Sequence, residues 1–265
     1  MLIIGELINT SRKPIREAVE KKDAEYIQKI AKAQEEAGAT YIDVNCGTLL
    51  EQEIPTMEWL VEIIEQVTKL PLCIDSPNHL ALKAGLAKTK NGKPMINSIN
   101  DETERMKTVL PLIKEYNAKI VALCVEDAGM PKTNADRLRI ADSIITKLTK
   151  EGIPLDDIYI DPLIKPLSAG EKHGIEVLEA VQKIMESYPG VHTTCGLSNI
   201  SYSLPARKVL NKTFMIQLTA RGMDSFILDP TNKEMRAALV AATTVLGQDR
   251  FCRKFITGFR QGLFE

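Results

Sequence analysis

Eight short apolar segments of the chain each end in side chains that carry a carboxylate, a carboxamide or a hydroxyl. Carboxylates accept hydrogen bonds, whereas carboxamides both accept and donate them. In chain order these polar ends are Glu6 and Asn9, Asp43 and Asn45, Asp75, Asn97, Glu126, Asp161, Ser198 and Asn199, and Asp229. Basic residues are almost absent from this set. Such groups suit a neutral, planar heterocycle that is rich in N–H donors.

A 2-amino-4-oxo-pteridine is a heterocycle of this kind. Aspartate can accept from its amino group and the adjacent ring N–H, and asparagine can satisfy its carbonyl oxygen and ring nitrogens. A phosphate would instead require arginine, lysine or a nest of backbone N–H groups, so a phosphosugar enzyme is disfavoured. A divalent metal held by the carboxylates is also disfavoured, because amides are numerous and no histidine joins them.

The segment 195–201, Cys-Gly-Leu-Ser-Asn-Ile-Ser, is the most informative of these ends. It follows a run of β-forming residues and precedes a helical pattern that opens after Pro205. Gly196 lets the backbone approach a flat ligand, and Asn199 offers an amide that donates and accepts. The alternative is an ordinary turn in which Asn199 bonds its own backbone. Recurrence of polar residues at the other strand ends favours a binding site.

Strand and helix patterns alternate for eight rounds along the chain. This alternation and length are typical of a (β/α)8 TIM barrel, whose active site lies at the carboxyl ends of the strands. A doubly wound sheet is the competing fold, but no GxGxxG sequence opens the first helix. We therefore predict one α/β barrel domain over residues 1–265, with a single helix over residues 14–37.

Local roles are the alternative for some of the acidic residues. Aspartate is a good N-cap, so Asp75, before Ser76 and Pro77, and Asp229, before Pro230, could each cap the next helix. Asp161 stands between Ile160 and Pro162 with no obvious helix to cap. Its position therefore favours a role in ligand binding.

Composition restricts the class of protein. The 265 residues carry a formal net charge of −1, which argues against nucleic acid as a general partner. No apolar run approaches the roughly 20 residues of a membrane span, and the first residues do not resemble a signal peptide. The five cysteines are scattered without a CxxC pair, so reduced thiols in the cytoplasm are expected.

Five motifs stand in order at the predicted strand ends. They are Asp43-Val44-Asn45, Asp75-Ser76-x-Asn78, Met95-Ile96-Asn97-Ser98, Tyr159-Ile160-Asp161-Pro162-Leu163 and Gly196-Leu197-Ser198-Asn199-Ile200-Ser201. Together they resemble the pterin-binding methyltransferases, in particular the methyltetrahydrofolate:corrinoid protein methyltransferases. These enzymes are related to the folate domain of cobalamin-dependent methionine synthase. The resemblance extends from end to end, including Leu204-Pro205-Ala206-Arg207 and Asn211-Lys212-Thr213-Phe214.

The resemblance implies a homodimeric enzyme that moves a methyl group between N5 of 5-methyltetrahydrofolate and the cobalt of a corrinoid protein. Asp75, Asn97 and Asp161 match positions that hold the pterin ring, and Asn199 matches the amide that faces N5. The predicted pterin contacts are Asp75, Asn97, Asp161, Gly196, Ser198 and Asn199, with Asp43, Asn45, Glu6 and Asn9 as secondary candidates. The corrinoid is carried by the partner protein, and this chain is predicted to bind no metal.

The first loop departs from the family pattern at Leu7 and at residues 10–12, where relatives often carry a basic residue and a glycine. Dihydropteroate synthase shares the pterin barrel, but the chain lacks its Asn-x-Thr-Pro-Asp-Ser-Phe loop and its Arg-x-His phosphate grip. A folate-binding subunit that performs no chemistry is the other alternative. A turnover assay with a reduced corrinoid separates that alternative from an enzyme.

Overall fold

The computed structural model describes residues 1–265, and its centre is a barrel of eight parallel strands. The strands are β1 (Leu2–Asn9), β2 (Tyr41–Asn45), β3 (Leu72–Asp75), β4 (Met95–Asp101), β5 (Lys119–Glu126), β6 (Ile158–Asp161), β7 (His192–Thr193) and β8 (Ser225–Leu228). Their order around the barrel is β7-β6-β5-β4-β3-β2-β1-β8. A single backbone bridge between Gly196, which follows β7, and Ile227 of β8 leaves the barrel nearly closed. The predicted (β/α)8 TIM barrel is confirmed.

Helices follow each strand and cover the outside of the barrel. They are α1 (Lys13–Glu20), α2 (Ala24–Glu36), α3 (Glu53–Glu65), α4 (His79–Leu86), α5 (Thr103–Glu115), α6 (Asn134–Lys150), α7 (His173–Ser187), α8 (Arg207–Ala220), α9 (Lys233–Val245) and α10 (Arg253–Arg260). The largest apolar cluster, 37 buried residues, is drawn from both strands and helices. None of the helices is both long enough and apolar enough to cross a membrane.

The predicted single helix over residues 14–37 is wrong, because the structure has two helices there. Lys22 adopts a left-handed backbone conformation with a φ of 53° between the two helices. Asp23 then caps α2, its carboxylate accepting a hydrogen bond of 3.0 Å from the backbone N–H of Tyr26. An aspartate cap satisfies a free N–H of the first turn, so a new helix can begin at this point.

An apolar plug fills the barrel below its carboxyl end. It contains one buried residue from each of the first six strands, Ile4, Tyr41, Cys73, Met95, Val121 and Tyr159. Side chains two residues apart on a strand point to the same side of the sheet. Polar or cavity-lining residues therefore stand directly above the plug, at Glu6, Asp43, Asp75, Asn97, Leu123 and Asp161. Backbone register pairs Asn45 with Asp75 and Asp75 with Asn97, which keeps these ends level.

A charged network lies at the start of β7, at the opposite end of the barrel. His192 contacts two carboxylates, with Nδ1 2.6 Å from Asp224 and Nε2 3.1 Å from Asp156. Its ring also stacks on Tyr159, with 4.7 Å between ring centroids. The hydrogen bond to Asp224 raises the pKa of His192, although partial burial opposes the shift.

We expect His192 to make the stability of the barrel dependent on pH. Because its folded-state pKa is raised, its contribution is complete below the unfolded-state pKa of about 6.5 and is lost as pH rises through the folded-state value. His192→Gln should therefore lower the Tm more at about pH 6 than at about pH 9. Thermal melting followed by circular dichroism measures this difference. An equal loss at both pH values would indicate lost packing instead of lost charge.

Candidate active site

A cavity of about 790 Å³ lies at the carboxyl ends of the strands. Nine of the ten predicted site residues line it: Glu6, Asn9, Asp43, Asp75, Asn97, Asp161, Gly196, Ser198 and Asn199. The tenth, Asn45, lies beside the cavity and donates a hydrogen bond of 2.7 Å from Nδ2 to Asp75. Strand ends from six different rounds of the barrel therefore contribute to one site.

Asp75 is held at the end of β3 by groups on both sides. Besides the bond from Asn45, the Arg105 guanidinium lies nearby, where it donates to the carbonyl oxygen of Ser76 at 2.8 Å. Burial raises the pKa of Asp75 to about 6, against the lowering effects of Asn45 and Arg105. Asn78 caps α4 by accepting from the N–H of Leu80 at 3.0 Å. The capping alternative for Asp75 is therefore wrong.

Asp161 reaches into the cavity from the end of β6. Its Oδ1 accepts a hydrogen bond of 2.8 Å from the backbone N–H of Leu163, which has a left-handed φ of 62°. Burial raises the pKa of Asp161 to about 6, while the N–H groups of Leu163 and Gly196 act to lower it. A carboxylate with this pKa is mostly ionised at neutral pH and can accept hydrogen bonds from a ligand.

Asp43 is the most deeply buried acid of the cavity. Only 2% of its surface is exposed, and its Oδ1 has no hydrogen-bond partner. Burial and then the neighbouring Asp75 raise the pKa of Asp43 well above its usual range. A buried acid with no cation beside it favours the neutral form, which can donate a hydrogen bond. The cavity thus combines two ionised acceptors with one acid that can act as a donor.

The loop after β7 forms a short 3-10 helix, Leu197–Ser201. Asn199 is exposed there, and its backbone N–H donates to the carbonyl oxygen of Gly196 at 3.2 Å. The side-chain hydrogen bonds of this loop come from Ser201 and Arg207 and none comes from the Asn199 amide, so the alternative of a self-bonded turn is wrong. A Cβ on residue 196 would approach Nδ2 of Asn199 to 3.3 Å, which shows that the amide lies over Gly196. The amide is free to bond a ligand.

Two predicted strand-end acids lie outside the cavity. Glu126 forms an ion pair of 2.6 Å with Arg139, which lowers the pKa of the carboxyl group. Asp229 accepts hydrogen bonds from the N–H and hydroxyl of Thr231 at 2.8 and 2.6 Å. The following helix is capped by Asn232, not by Asp229. Both acids have local structural partners.

Several polar residues that the sequence did not predict reach the cavity from the first loop, from β4 and from α8. They are Ser11, Arg12, Ser98, Arg207, Lys208 and Asn211. Basic residues are thus scarce at the strand ends but present at the rim. Arg207 also supports the Asn199 loop, because its Nη2 donates to the carbonyl oxygen of Ser198 at 2.8 Å. A signal was present: Arg207, Lys208 and Asn211 have the spacing of one helix face.

Comparison with known proteins identifies the family. The family described as pterin binding enzyme matches the chain over residues 5–229. This chain belongs to the pterin-binding enzyme family. Every residue that lines the cavity, from Glu6 to Ile227, lies within the matched span. The resemblance that the five motifs indicate is confirmed.

Two curated relatives of this pterin-binding chain are methyl-transfer enzymes by name. The methylcorrinoid:tetrahydrofolate methyltransferase of Eubacterium limosum is 39% identical over 265 residues, covering 99% of this chain and 97% of that protein. The methionine synthase of Mycobacterium tuberculosis is 32% identical over 241 residues, covering 86% of this chain and 20% of the synthase. The chain therefore corresponds to one fifth of the larger enzyme.

Solved structures of dihydropteroate synthases share the fold. The enzyme from Xanthomonas albilineans in complex with 7,8-dihydropteroate superposes with a TM-score of 0.70 at 19% identity, over 93% of this chain and 92% of that one. The enzyme from Yersinia pestis gives a TM-score of 0.68 at 16% identity, over 93% of both chains. At such low sequence identity, the structural similarity is evidence for a shared barrel fold only.

Proposed function

We propose that this chain is a methyltransferase that moves a methyl group between N5 of 5-methyltetrahydrofolate and the cobalt of a corrinoid protein. The observation that carries the proposal is the 39% identity to a methylcorrinoid:tetrahydrofolate methyltransferase over nearly the whole length of both chains. A match of this extent includes the cavity and all of the strand-end motifs.

The floor of the cavity suits the pterin ring. Asp75 and Asp161 can accept from the ring amino group and ring N–H groups. Asn97 both donates and accepts, and the neutral form of Asp43 would donate to a ring acceptor. The pterin ring is therefore assigned to these groups, and Gly196, which has no side chain, leaves space for it. Glu6, Asn9 and Ser198 then face the edges of the bound folate.

Methyl transfer from folate requires N5 to become a leaving group, and an amine nitrogen is a poor one unless it is protonated or hydrogen-bonded. The corrinoid supplies a nucleophilic cobalt(I), so the protein need not provide a nucleophile. Asn199 has no ionisable proton and is not a general acid. Its carbonyl oxygen can accept a hydrogen bond from protonated N5, or orient a water that delivers the proton. Such a bond strengthens as N5 takes up its proton, so it lowers the free energy of the transition state for methyl transfer.

The test combines the chain of residues 1–265 with 5-methyltetrahydrofolate and a protein that carries a reduced corrinoid. The absorption change of cobalt on methylation should follow a single exponential in the presence of this chain and be absent without it. Calorimetric titration of the folate is measured in parallel. Binding without methyl transfer would identify a non-catalytic folate-binding subunit. Formation of dihydropteroate from a dihydropterin pyrophosphate and 4-aminobenzoate would instead support the synthase alternative.

We expect affinity for 5-methyltetrahydrofolate to fall as pH decreases through about 6, the raised pKa of Asp75 and Asp161. A protonated carboxyl group carries its own O–H. It must lose or turn away this proton before it can accept hydrogen bonds from the N–H groups of the ring. Titrations at about pH 7.5 and about pH 5 measure the change, and the unmethylated tetrahydrofolate serves as a second ligand. An affinity that is constant over this interval would contradict contact between these acids and the ring.

A homodimer is part of the proposal, and α8, α9 and α10 offer a surface for it. An apolar groove between α8 and α9 is lined by Ile216, Ala220, Ala238, Ala241, Ala242, Val245 and Leu246. Val245 is 86% exposed, and Phe259 of the adjacent α10 is 62% exposed. Contiguous exposed apolar side chains mark surfaces that bind another protein. A second copy of the chain would cover them.

Val245→Glu is therefore expected to convert a dimer into a monomer, because it places a charge in an apolar interface. Light scattering after size-exclusion chromatography measures the mass. Lys150→Glu at the exposed end of α6 is a matched control that adds the same side chain elsewhere. A dimer that persists in Val245→Glu would place the interface on another face.

We also propose that residues 1–265 form one pterin-binding domain. The five free cysteines, four of them buried, favour a reducing compartment such as the cytoplasm. The cavity is assigned no resident metal, because its carboxylates alternate with amides that suit the pterin ring.

A further inference from the structure

Arg105 of α5 links two neighbouring strands of the barrel. Its guanidinium donates four hydrogen bonds to three backbone carbonyl oxygens. In the loop after β3, Nη2 donates to Ser76 at 2.8 Å and Nη1 donates to Pro77 at 2.5 Å. On β4, Nε and Nη2 both donate to Ser98, at 2.9 and 2.6 Å. A guanidinium holds its donors in a fixed plane, so one side chain sets the distance between the two strands at this level.

The carbonyl groups that Arg105 holds follow directly after two predicted pterin contacts. Ser76 is the next residue after Asp75, and Ser98 is the next residue after Asn97. The backbone N–H of Ser76 also donates to the carbonyl oxygen of Asn97 at 3.0 Å. Asp75 and Asn97 line the cavity, whereas Arg105 does not. Arg105 therefore acts on the site through the backbone that carries these two side chains.

The positive charge of Arg105 is not taken up by an ion pair. The ion pairs of α5 are formed by other residues, Lys107 with Glu104, Lys114 with Glu151 and Glu115 with Lys83. Burial lowers the pKa of Arg105, whereas Asp75 and then Glu102 act to raise it. Burial raises the pKa of Asp75 to about 6, and the hydrogen bond from Asn45 and the charge of Arg105 oppose this increase. The charge of Arg105 therefore acts on a carboxylate of the site.

Arg137 of α6 makes a similar contact without this second effect. Its Nε donates at 3.0 Å to the carbonyl oxygen of Pro162, which follows Asp161. Arg137 is fully buried and pairs with Glu176 at 3.0 Å. Burial raises the pKa of Asp161 and backbone N–H groups lower it, without a contribution from Arg137. A loop can thus be anchored by an arginine whose charge is neutralised elsewhere, whereas Arg105 combines an anchor with a charge.

Two further acids lie near Asp75. Glu53 of α3 is only 4% exposed, and its Oε1 accepts a hydrogen bond of 2.5 Å from the hydroxyl of Ser76. Glu53 acts to raise the pKa of Asp75. Asp43 of β2 favours the neutral form, so it places no charge beside Asp75. Arg105 is thus the cation that offsets both burial and Glu53 at this carboxyl group.

We propose that Arg105 is a positioning residue for the folate: it fixes the spacing of Asp75 and Asn97 and keeps the Asp75 carboxylate available as an acceptor. The inference rests on the proposed function, which supplies the pterin ring as the ligand of these two residues. The planar guanidinium provides the spacing, because it bonds to both strands. Its charge provides the second role, since a nearby cation favours the ionised form of a carboxyl group. A lysine at this position would supply only the charge.

The first measurement needs no ligand. Carbon-13 NMR of the aspartate carboxyl groups is recorded against pH, and the Asp75 signal is assigned by its loss in Asp75→Asn. We expect Arg105→Gln to raise the pH midpoint of the Asp75 titration by about one pH unit, because it removes a nearby cation. Glu53→Gln should lower the same midpoint, because it removes an opposing charge. The Asp161 midpoint should stay in place in both variants and serves as the internal reference.

The second measurement is calorimetric titration of 5-methyltetrahydrofolate between about pH 5 and about pH 8. In Arg105→Gln, affinity should begin to fall about one pH unit higher than in wild type as the solution is acidified. Arg105→Lys keeps the charge, so the pH midpoint should not move. Its Kd at about pH 7.5 should nevertheless rise about threefold to tenfold, the typical net effect of a lost hydrogen bond. Lys107→Gln is the matched control, because this exposed lysine of α5 pairs with Glu104 at 2.7 Å.

Thermal melting of each variant separates these effects from unfolding. An unmoved Asp75 midpoint in Arg105→Gln, or an equal shift in Lys107→Gln, would overturn this inference and leave the proposed function standing. A shift in the same direction in Arg105→Gln and Glu53→Gln would indicate a disrupted loop and would also overturn it. Wild-type affinity in Arg105→Lys would remove the spacing role, and this variant keeps the test decisive if Arg105→Gln does not fold. No folate binding by wild type would overturn the proposed function itself.

Discussion

Asn199→Ala is expected to slow methyl transfer by about 10²-fold or more, the range found when one oriented donor or acceptor of a transition state is removed. Affinity for 5-methyltetrahydrofolate should fall much less, because Asp75 and Asp161 still hold the ring. The residue is exposed and its amide takes no part in the side-chain hydrogen bonds of the loop, so the change removes little from the fold. An interaction made mainly in the transition state appears in the rate and not in binding.

The measurement is single-turnover transfer to cobalt(I) across pH, beside calorimetric binding and thermal melting of the same variant. The rate profile should move to lower pH, because protonated N5 loses its acceptor. Asn199→Asp separates two roles of the amide. It keeps an acceptor oxygen and should retain more activity than the alanine variant if the carbonyl oxygen serves N5. A rate loss explained by weaker binding or by unfolding would remove Asn199 from catalysis.

Asp75→Asn and Asp161→Asn should each raise the Kd for 5-methyltetrahydrofolate by about tenfold or more, since hydrogen bonds to charged groups are worth roughly 1.5–3 kcal/mol. Both changes are nearly isosteric. The asparagine oxygen can still accept from Asn45 at position 75 and from Leu163 at position 161. Lost affinity would therefore report the missing charge and not a collapsed loop. Glu126→Gln is the matched control, because this strand-end acid pairs with Arg139 outside the cavity.

The same two variants should stabilise the protein without ligand. Both carboxyl groups have a folded-state pKa of about 6, above the ordinary value of 3.8. Ionisation is therefore unfavourable in the folded state, and the destabilisation is complete above about pH 6 and relieved as pH falls towards 4. Removing the charge should raise the free energy of unfolding at neutral pH by up to about 3 kcal/mol, at about 1.4 kcal/mol for each pKa unit. Unchanged binding and unchanged stability together would contradict the assignment of these acids to the site.

The floor of the site could be predicted because it follows from strand order alone. Asp75 ends β3 and pairs in register with Asn97 of the neighbouring parallel strand β4, so the two side chains meet at the same level of the barrel. The rim could not be predicted in this way. Arg207, Lys208 and Asn211 reach the cavity only because α8 starts above it, and the approach of a helix to a barrel depends on packing that a sequence pattern does not specify. Likewise, apolar periodicity does not separate α1 from α2, since Lys22 and Asp23 end one helix and start another over two residues.

The protonation state of Asp43 could not be predicted from the sequence either. Its residue type suggests an ionised acceptor like Asp75, whereas its surroundings favour the neutral acid. Burial and the absence of a cation are properties of the assembled barrel, to which several strands contribute. Two residues with the same side chain can therefore take opposite hydrogen-bonding roles in one cavity.

The apolar plug has a consequence for the order of events during turnover. Six packed side chains close the cavity from below, so one mouth serves both the folate and the cobalt that must reach N5. A corrinoid protein seated over that mouth blocks exchange of the folate. We expect the folate to bind before the protein docks and to leave after it departs, so that steady-state kinetics follow a compulsory-order sequence through a ternary complex, with excess corrinoid protein slowing folate release.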